Sequence, residues 1–136
     1  MKREIKFRAK RIDNGEWIYG MPTYDFRYIF NGEQLDSIDN YEVTPETVSQ
    51  FTGLKDKNGV EIYEGDEFQY RKHEGYILPD FTGEIIFMAG CFGYVATSEN
   101  MGEAFHPFSE VDELKEDFLD HVEIIGNIHD NPELLK

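Results

Sequence analysis

The chain has 136 residues, of which 13 are Lys or Arg and 28 are Asp or Glu, giving a formal net charge of −15. This length and a hydrophobic content of 40% allow a buried core and exclude a chain that is disordered throughout. The single cysteine, Cys91, excludes an internal disulfide and a cysteine-rich zinc site. We expect neither a membrane span nor a signal peptide, and we expect a cytoplasmic protein.

The first predicted element is a β-hairpin. Residues 5–12 alternate apolar and basic side chains, Asp13-Asn14-Gly15 can adopt the positive φ angles of a tight turn, and residues 16–20 form the returning strand. We expect Trp17 and Tyr19 to join the apolar face of the first strand. Trp17 is therefore predicted to be largely buried.

Alternating aromatic residues predict a third strand over residues 24–30. Its aromatic face defines a candidate partner or interface surface: Tyr24, Phe26, Tyr28 and Phe30. Monomers seldom expose large apolar patches, and residues 31–40 are too polar to cover this one. The favoured interpretation is a core face or an interface between subunits, which predicts a homo-oligomer. A base-stacking platform for single-stranded nucleic acid is the alternative.

The remainder of the chain predicts short strands joined by turns of Asn, Asp and Gly. Strand patterns occupy residues 41–43, 60–63, 67–70, 83–88, 91–96 and 121–128. Helical spacing between Ser109 and Asp120 predicts a helix of about ten residues, and Thr44-Pro45 and Asn131-Pro132 each predict a helical turn. We predict a mainly β (β-rich α+β) fold, a short-stranded barrel or sandwich, possibly SH3-like, with one or two short helices near the C-terminus. Residues 1–136 are expected to form one domain with a soft subdomain boundary near residues 72–80.

Charge is distributed unevenly along the chain. Residues 1–72 hold 11 Lys and Arg and 14 Asp and Glu (11 − 14 = −3), and residues 73–136 hold 2 and 14 (2 − 14 = −12). A candidate basic patch lies at the start: Lys2, Lys6, Arg8, Lys10 and Arg11. The favoured interpretation is the solvent-facing side of a strand. Phosphate binding by this patch, or DNA mimicry by the acidic second half, are the alternatives.

No residue pattern predicts catalysis or metal binding. In the segment from Asp56 to Gly59, the glycine comes too early for a calcium loop. A cluster of His121 and His129 with neighbouring aspartates requires the end of the last strand to curl back, and the other histidines lack metal-site spacing. Cys91 is expected to be an inert thiol, and no glycine-rich phosphate loop occurs. We therefore expect no catalytic residue, no metal and no cofactor.

Three ordered blocks carry a family pattern: REIKFRAK with GEWIYG, VTPETVSQFTGLKDKNGVEIYEGDEF, and VEIIGNIHDNPELL. Together they closely resemble the YopX family of small phage and prophage proteins. The blocks cover about half of the chain and leave about residues 24–40 and 71–120 uncovered. The resemblance implies a mostly β fold in phage and prophage contexts, with no assigned activity and no catalytic residues.

These observations predict a small, non-enzymatic accessory protein of a phage or prophage. We expect it to act by binding a host or phage protein or by self-assembly, and to have no membrane partner. Nucleic-acid binding through the basic first hairpin is the main alternative.

Overall fold

The computed structural model describes residues 4–30, 42–72, 74–75, 78–108 and 118–130. In these ranges the chain is mainly β, which confirms the predicted fold class. The strands are β1 (Phe7–Lys10), β2 (Trp17–Pro22), β3 (Ile29–Phe30), β4 (Ser49–Lys55), β5 (Glu61–Tyr63), β6 (Asp66–Tyr70), β7 (Phe81–Met88), β8 (Cys91–Ala96), β9 (Phe105–Pro107) and β10 (Val122–Asn127). They form two antiparallel five-stranded sheets with the orders β3-β2-β1-β4-β5 and β10-β6-β7-β8-β9.

The chain forms two compact units, Met1–Gly53 and Leu54–Lys136. The first unit has a net charge of 7 − 9 = −2, and the second has a net charge of 6 − 19 = −13. The soft boundary predicted near residues 72–80 stays a prediction, because residues 73, 76 and 77 lie outside the described part of the chain.

Helical structure in the described ranges is confined to short segments. Pro45–Thr47, Glu99–Met101 and Phe118–His121 are 3-10 turns. The helix predicted for about residues 110–119 and the last predicted helical turn lie largely or wholly outside the described residues, as does the segment 31–40. None of the described helical segments is long and apolar enough to cross a membrane.

The predicted first hairpin is confirmed, but its register places Trp17 on the other face. The loop of residues 12–15 is one residue longer than Asp13-Asn14-Gly15, because the backbone N–H of Arg11 donates to the carbonyl of Glu16 at 2.9 Å. One additional residue moves every side chain of the returning strand to the opposite face. Trp17 therefore pairs with Lys10 and is only half-buried, so its predicted position was wrong.

The first unit is built on a small apolar cluster. Its members are Ala9, Ile18, Ile29 and Val43, with Val48 packed against them. Ala9 and Ile18 are cross-strand partners of β1 and β2, and Ile29 belongs to β3. The cluster therefore covers one face of this hairpin. Arg8, Lys10 and the residues paired with them lie on the opposite face.

Aromatic packing around Phe68 forms the core of the second unit. The Phe68 ring meets Phe81, Tyr94 and Phe118 edge-on, with centroids 5.8, 5.4 and 6.5 Å away. Its cross-strand neighbour is Gly83, where an added Cβ would lie 2.6 Å from the Phe68 Cζ. A glycine is therefore required there, because the ring occupies the space above its backbone.

Asp56 fastens the loop after β4 to the edge strand β10. Its Oδ1 accepts the backbone N–H groups of Asn58 at 2.8 Å and Val60 at 2.9 Å, and its Oδ2 accepts that of Ile124 at 2.9 Å. The backbone N–H of Lys57 also donates to Val122 at 3.0 Å. These contacts satisfy groups on the outer edge of β10, which would otherwise face solvent or another strand.

We expect Asp56→Ala to lower the free energy of unfolding by about 2–4 kcal/mol, because it leaves three backbone donors without their charged acceptor. Urea unfolding measures the loss. Asp13→Ala is the control, because it removes an exposed carboxylate 2.6 Å from Arg11 and should cost no more than about 1 kcal/mol. Equal, small losses in both variants would contradict the role given to Asp56.

The buried Tyr94 is predicted to make the second unit less stable at alkaline pH. Burial and then the neighbouring Tyr70 raise the pKa of Tyr94 to about 12. The unfolded chain ionises this phenol near pH 10, so the native state retains a proton that the unfolded state loses. The free energy of unfolding should therefore fall by up to about 3 kcal/mol between pH 10 and 12. Tyr94→Phe should remove this part of the loss in urea unfolding, and an unchanged pH dependence would refute it.

Candidate functional site

Residues 23–28 form a tight turn, and the strand predicted over residues 24–30 is therefore wrong for most of its length. The carbonyl of Thr23 accepts the N–H of Phe26, and its own N–H donates to Tyr28, both at 2.9 Å. Asp25 is the physical reason: its Oδ1 accepts the backbone N–H of Arg27 at 3.1 Å and the Thr23 hydroxyl at 2.7 Å. Short polar side chains that capture nearby backbone groups favour turns over strands.

The four aromatic residues of the candidate surface consequently do not share one strand face. Tyr24 is fully exposed, at 103% of its reference area, and Phe26 is 46% exposed. Tyr28 and Phe30 are half-buried, and Phe30 is the last residue of β3. The exposed part of the predicted surface is therefore the tip of a turn.

The turn is held in place by charge as well as by hydrogen bonds. The Thr23 hydroxyl, the Arg27 backbone N–H and the Arg27 charge lower the pKa of Asp25, so its carboxylate stays ionised at neutral pH. The Arg27 guanidinium lies 3.8 Å from Glu42, and the Arg27 carbonyl accepts the N–H of Val43 at 2.8 Å. These contacts order the backbone that presents Tyr24.

Phe26 has a φ of 61°, which is unusual for a bulky residue. Such backbone strain costs on the order of 1–3 kcal/mol and persists where surrounding contacts impose it. Beside it, a shallow cleft of about 390 Å³ is lined by Thr23, Tyr24, Asp25 and Tyr28. The turn therefore combines a projecting ring with a small concave surface.

The described members of the candidate basic patch have contacts within the chain, and Lys2 lies outside the described residues. Arg8 is buried, with its guanidinium 4.4 Å from the centre of the Trp17 ring, and the Lys10 ammonium is 5.5 Å from the same ring. The predicted basic, solvent-facing side of the strand is thus an aromatic and cationic face. Such cation–π contacts contribute about 0.5–1 kcal/mol at exposed sites and more where water is excluded.

The two remaining cations of the patch are also engaged. Lys6 lies 5.2 Å from the centre of the Phe51 ring and 3.8 Å from Glu4. Arg11 lies 2.6 Å from the carboxylate of Asp13. Each of these cations would exchange an existing contact for a phosphate contact, which reduces the gain from binding nucleic acid.

In the second unit, two carboxylates lie directly opposite each other. Glu67 of β6 pairs with Glu84 of β7, and Glu67 is buried. Burial and then the charge of Glu64 raise the pKa of Glu84. Within the described ranges, no group of three His, Cys, Asp or Glu side chains is placed to hold a metal ion.

A cleft of about 680 Å³ lies beside the end of β8. Its lining is Val95, Ala96, Thr97, Ser98, Glu99, Gly102 and Glu103. The Thr97 hydroxyl is 2.8 Å from that of Thr82, and the Ser98 hydroxyl accepts the Thr82 N–H at 3.2 Å. These hydroxyls therefore have structural partners in the sheet.

An exposed apolar tip between β7 and β8 was not predicted from the sequence. Phe87 is 49% exposed and Met88 is 48% exposed. No charged residue lies between Glu84 and Glu99 in the sequence. The signal lay in the sequence, because apolar residues continue up to the Ala89-Gly90 turn where a hairpin usually becomes polar. Cys91, on the returning strand, is half-buried, and its thiol donates to the Met88 carbonyl at 3.5 Å.

Two of the blocks that carry the family pattern meet in the second unit. The backbone N–H of Ile128 donates to Gly65 at 2.9 Å, and the N–H of Tyr63 donates to the Asp66 carboxylate at 2.8 Å. The Asn127 side chain accepts the N–H groups of the two residues after Ile128, at 3.0 and 2.9 Å. The block residues described here therefore stabilise turns.

Comparisons with known proteins identify a solved structure and a family model that match the chain. A crystal structure of protein EF1440 from Enterococcus faecalis is similar to the chain, with 28% sequence identity and a TM-score of 0.59 over 99% of this chain and 100% of that chain. No curated protein matches the chain significantly. The family model for the YopX protein matches residues 6–136. The chain therefore belongs to the YopX family.

Proposed function

We propose that this chain is a small, non-enzymatic accessory protein of a phage or prophage that acts by binding a protein partner through the turn of residues 23–28. The observation that carries the proposal is Tyr24, a fully exposed aromatic side chain on a turn held by hydrogen bonds. A tyrosine in this setting offers a large contact area at a low cost in side-chain entropy.

Preorganisation supports this assignment. The Asp25 carboxylate already holds Thr23 and Arg27, so a partner does not have to order the loop before binding. Interfaces draw most of their energy from a few residues, and tyrosine is enriched among them. The unusual φ of Phe26 is a second mark of this turn, because strained backbone concentrates at functional surfaces.

Protein binding is favoured over nucleic-acid binding by the surroundings of the cations. Arg8 is buried over Trp17, and Arg11 is paired with Asp13. Residues 54–136 add a net charge of −13. This charge repels polyphosphate at distances up to about the Debye length, beyond which salt screens it.

The test immobilises the full chain and exposes it to extract from cells that carry the phage or prophage. Free chain is added to the extract, so that binding of a second copy is also detected. We expect Tyr24→Ser to weaken capture of the specific partner at least tenfold, about 1.4 kcal/mol, because the anchoring ring is lost. Tyr19→Ser is the matched control, since Tyr19 is an exposed tyrosine of the same unit. Binding is quantified with the purified partner.

Retention of DNA that is released by salt and weakened by Lys10→Ala would instead support the nucleic-acid alternative. Capture of basic DNA-binding proteins that is unaffected by Tyr24→Ser would support mimicry by the acidic residues. Either result would overturn the proposal, as would equal capture by the Tyr24 and Tyr19 variants.

A further inference from the structure

Three asparagines of the sequence are followed directly by glycine: Asn14, Asn31 and Asn58. Asparagine is a thermolabile residue, and it loses its side-chain amide most readily before glycine, because no side chain there hinders attack by the next backbone nitrogen. Asn31 lies outside the described residues, whereas Asn14 and Asn58 both lie in exposed turns. The structure therefore places the same reactive dipeptide in two different surroundings.

The glycines of the two turns are equivalent for this reaction. Gly15 and Gly59 have positive φ angles of 70° and 81°, which require glycine at both positions. The Gly15 N–H donates to the carbonyl of Arg11 at 2.9 Å, and the Gly59 N–H donates to that of Asp56 at 3.0 Å. In both turns the attacking nitrogen must first leave one backbone hydrogen bond. The glycines therefore do not favour one site over the other.

The asparagine side chains distinguish the two sites. The Oδ1 of Asn14 accepts the backbone N–H of Glu16 at 2.9 Å, and its Nδ2 donates to the Glu16 carboxylate at 3.4 Å. Turning the Asn14 carboxamide towards the Gly15 nitrogen breaks both hydrogen bonds. Asn58 is exposed, and no hydrogen bond holds its side chain within the described part of the chain. The Asn58 carboxamide can therefore rotate towards Gly59 without such a loss.

We propose that Asn58 is a site of spontaneous deamidation, and that its isoaspartate product releases the contacts by which Asp56 holds β10. The Gly59 nitrogen loses its proton and bonds to Cγ of Asn58, the Cγ–Nδ2 bond breaks, and ammonia leaves with a proton from the solvent. One water then opens the succinimide. Cleavage of the new N–Cγ bond gives aspartate, whereas cleavage of the original peptide bond gives isoaspartate. This inference is independent of what the chain binds.

The isoaspartate product changes the backbone at the point where Asp56 fastens the loop. Its main chain runs through the former side chain of residue 58 and is one atom longer before Gly59. The Asp56 Oδ1 accepts the N–H groups of Asn58 at 2.8 Å and Val60 at 2.9 Å, which lie on opposite sides of this added atom. The two donors can no longer share one oxygen in this geometry. Displacement of Asp56 then also removes the acceptor of the Ile124 N–H, which lies 2.9 Å away on β10.

The site is tested by incubating the full chain at mildly alkaline pH and measuring conversion by peptide mass spectrometry. Reference peptides that contain aspartate or isoaspartate identify the two products. We expect Asn58 to convert at least about tenfold faster than Asn14, because the side-chain hydrogen bonds of Asn14 contribute on the order of 1.4 kcal/mol. Asn58→Gln should abolish conversion at residue 58, since the longer side chain closes a ring far less readily.

The structural consequence is tested on the isoaspartate form, separated from the unconverted chain by its additional negative charge. Its midpoint of urea unfolding should fall towards that of Asp56→Ala. Hydrogen exchange of the Ile124 N–H should become at least about tenfold faster, because a hydrogen bond to a charged acceptor is lost. Asn58→Asp is the matched control, since it adds the same charge without lengthening the backbone, and it should retain the wild-type midpoint and exchange rate.

Conversion at Asn58 that is no faster than at Asn14 would overturn the proposed site. An isoaspartate form with the wild-type urea midpoint and Ile124 exchange rate would overturn the proposed release of β10. An equal fall in the midpoint of Asn58→Asp would also contradict it, because charge would then account for the effect. The same loss in incubated Asn58→Gln would assign the change to a different residue and refute the inference.

Discussion

Several turns in the described part of the chain depend on side-chain oxygens that accept backbone N–H groups. Asp56 does this for three donors, one of which lies 68 residues away on β10. Asp25, Asp66 and Asn127 repeat the arrangement locally. Because short strands leave many backbone groups at their ends, a β-rich chain of this size needs such acceptors, and charged acceptors form stronger hydrogen bonds than neutral ones.

The same interaction explains which parts of the fold the sequence predicts. Alternating residues and Asn-Gly or Ala-Gly turns located the hairpins of β1–β2 and β7–β8, because both signals act within a few residues. The segment of residues 24–30 has equally clear alternation, yet Asp25 captures the Arg27 N–H and converts most of it to a turn. Alternation reflects only the polarity of the side chains, whereas a side-chain acceptor such as Asp25 determines the conformation of the backbone.

Site prediction fails where the face of a strand depends on a single residue of loop length. The loop of residues 12–15 sets Trp17 opposite Lys10, which makes Arg8 a buried cation over an aromatic ring instead of a solvent-facing charge. The surroundings of the candidate basic patch follow from the register of this hairpin, which the length of its loop fixes, and the binding role of the patch stays a prediction. For the candidate aromatic surface, the strand predicted over residues 24–30 was wrong for most of its length, and Tyr24 is fully exposed.

Several residues that hold turns lie in the blocks that carry the family pattern, although Asp25 holds a turn outside them and the exposed Tyr19 and Val60 lie inside them. Asp56, Gly65 and Asn127, which hold turns, lie in the blocks that carry the family pattern. Tyr24 and the Phe87 tip lie in the segments outside those blocks. A residue that holds a turn is constrained by the geometry of this chain alone, whereas an exposed ring on a defined turn is constrained only by what it contacts. Family membership is therefore informative about the fold, whereas binding of a partner stays a proposal that rests on the exposed Tyr24.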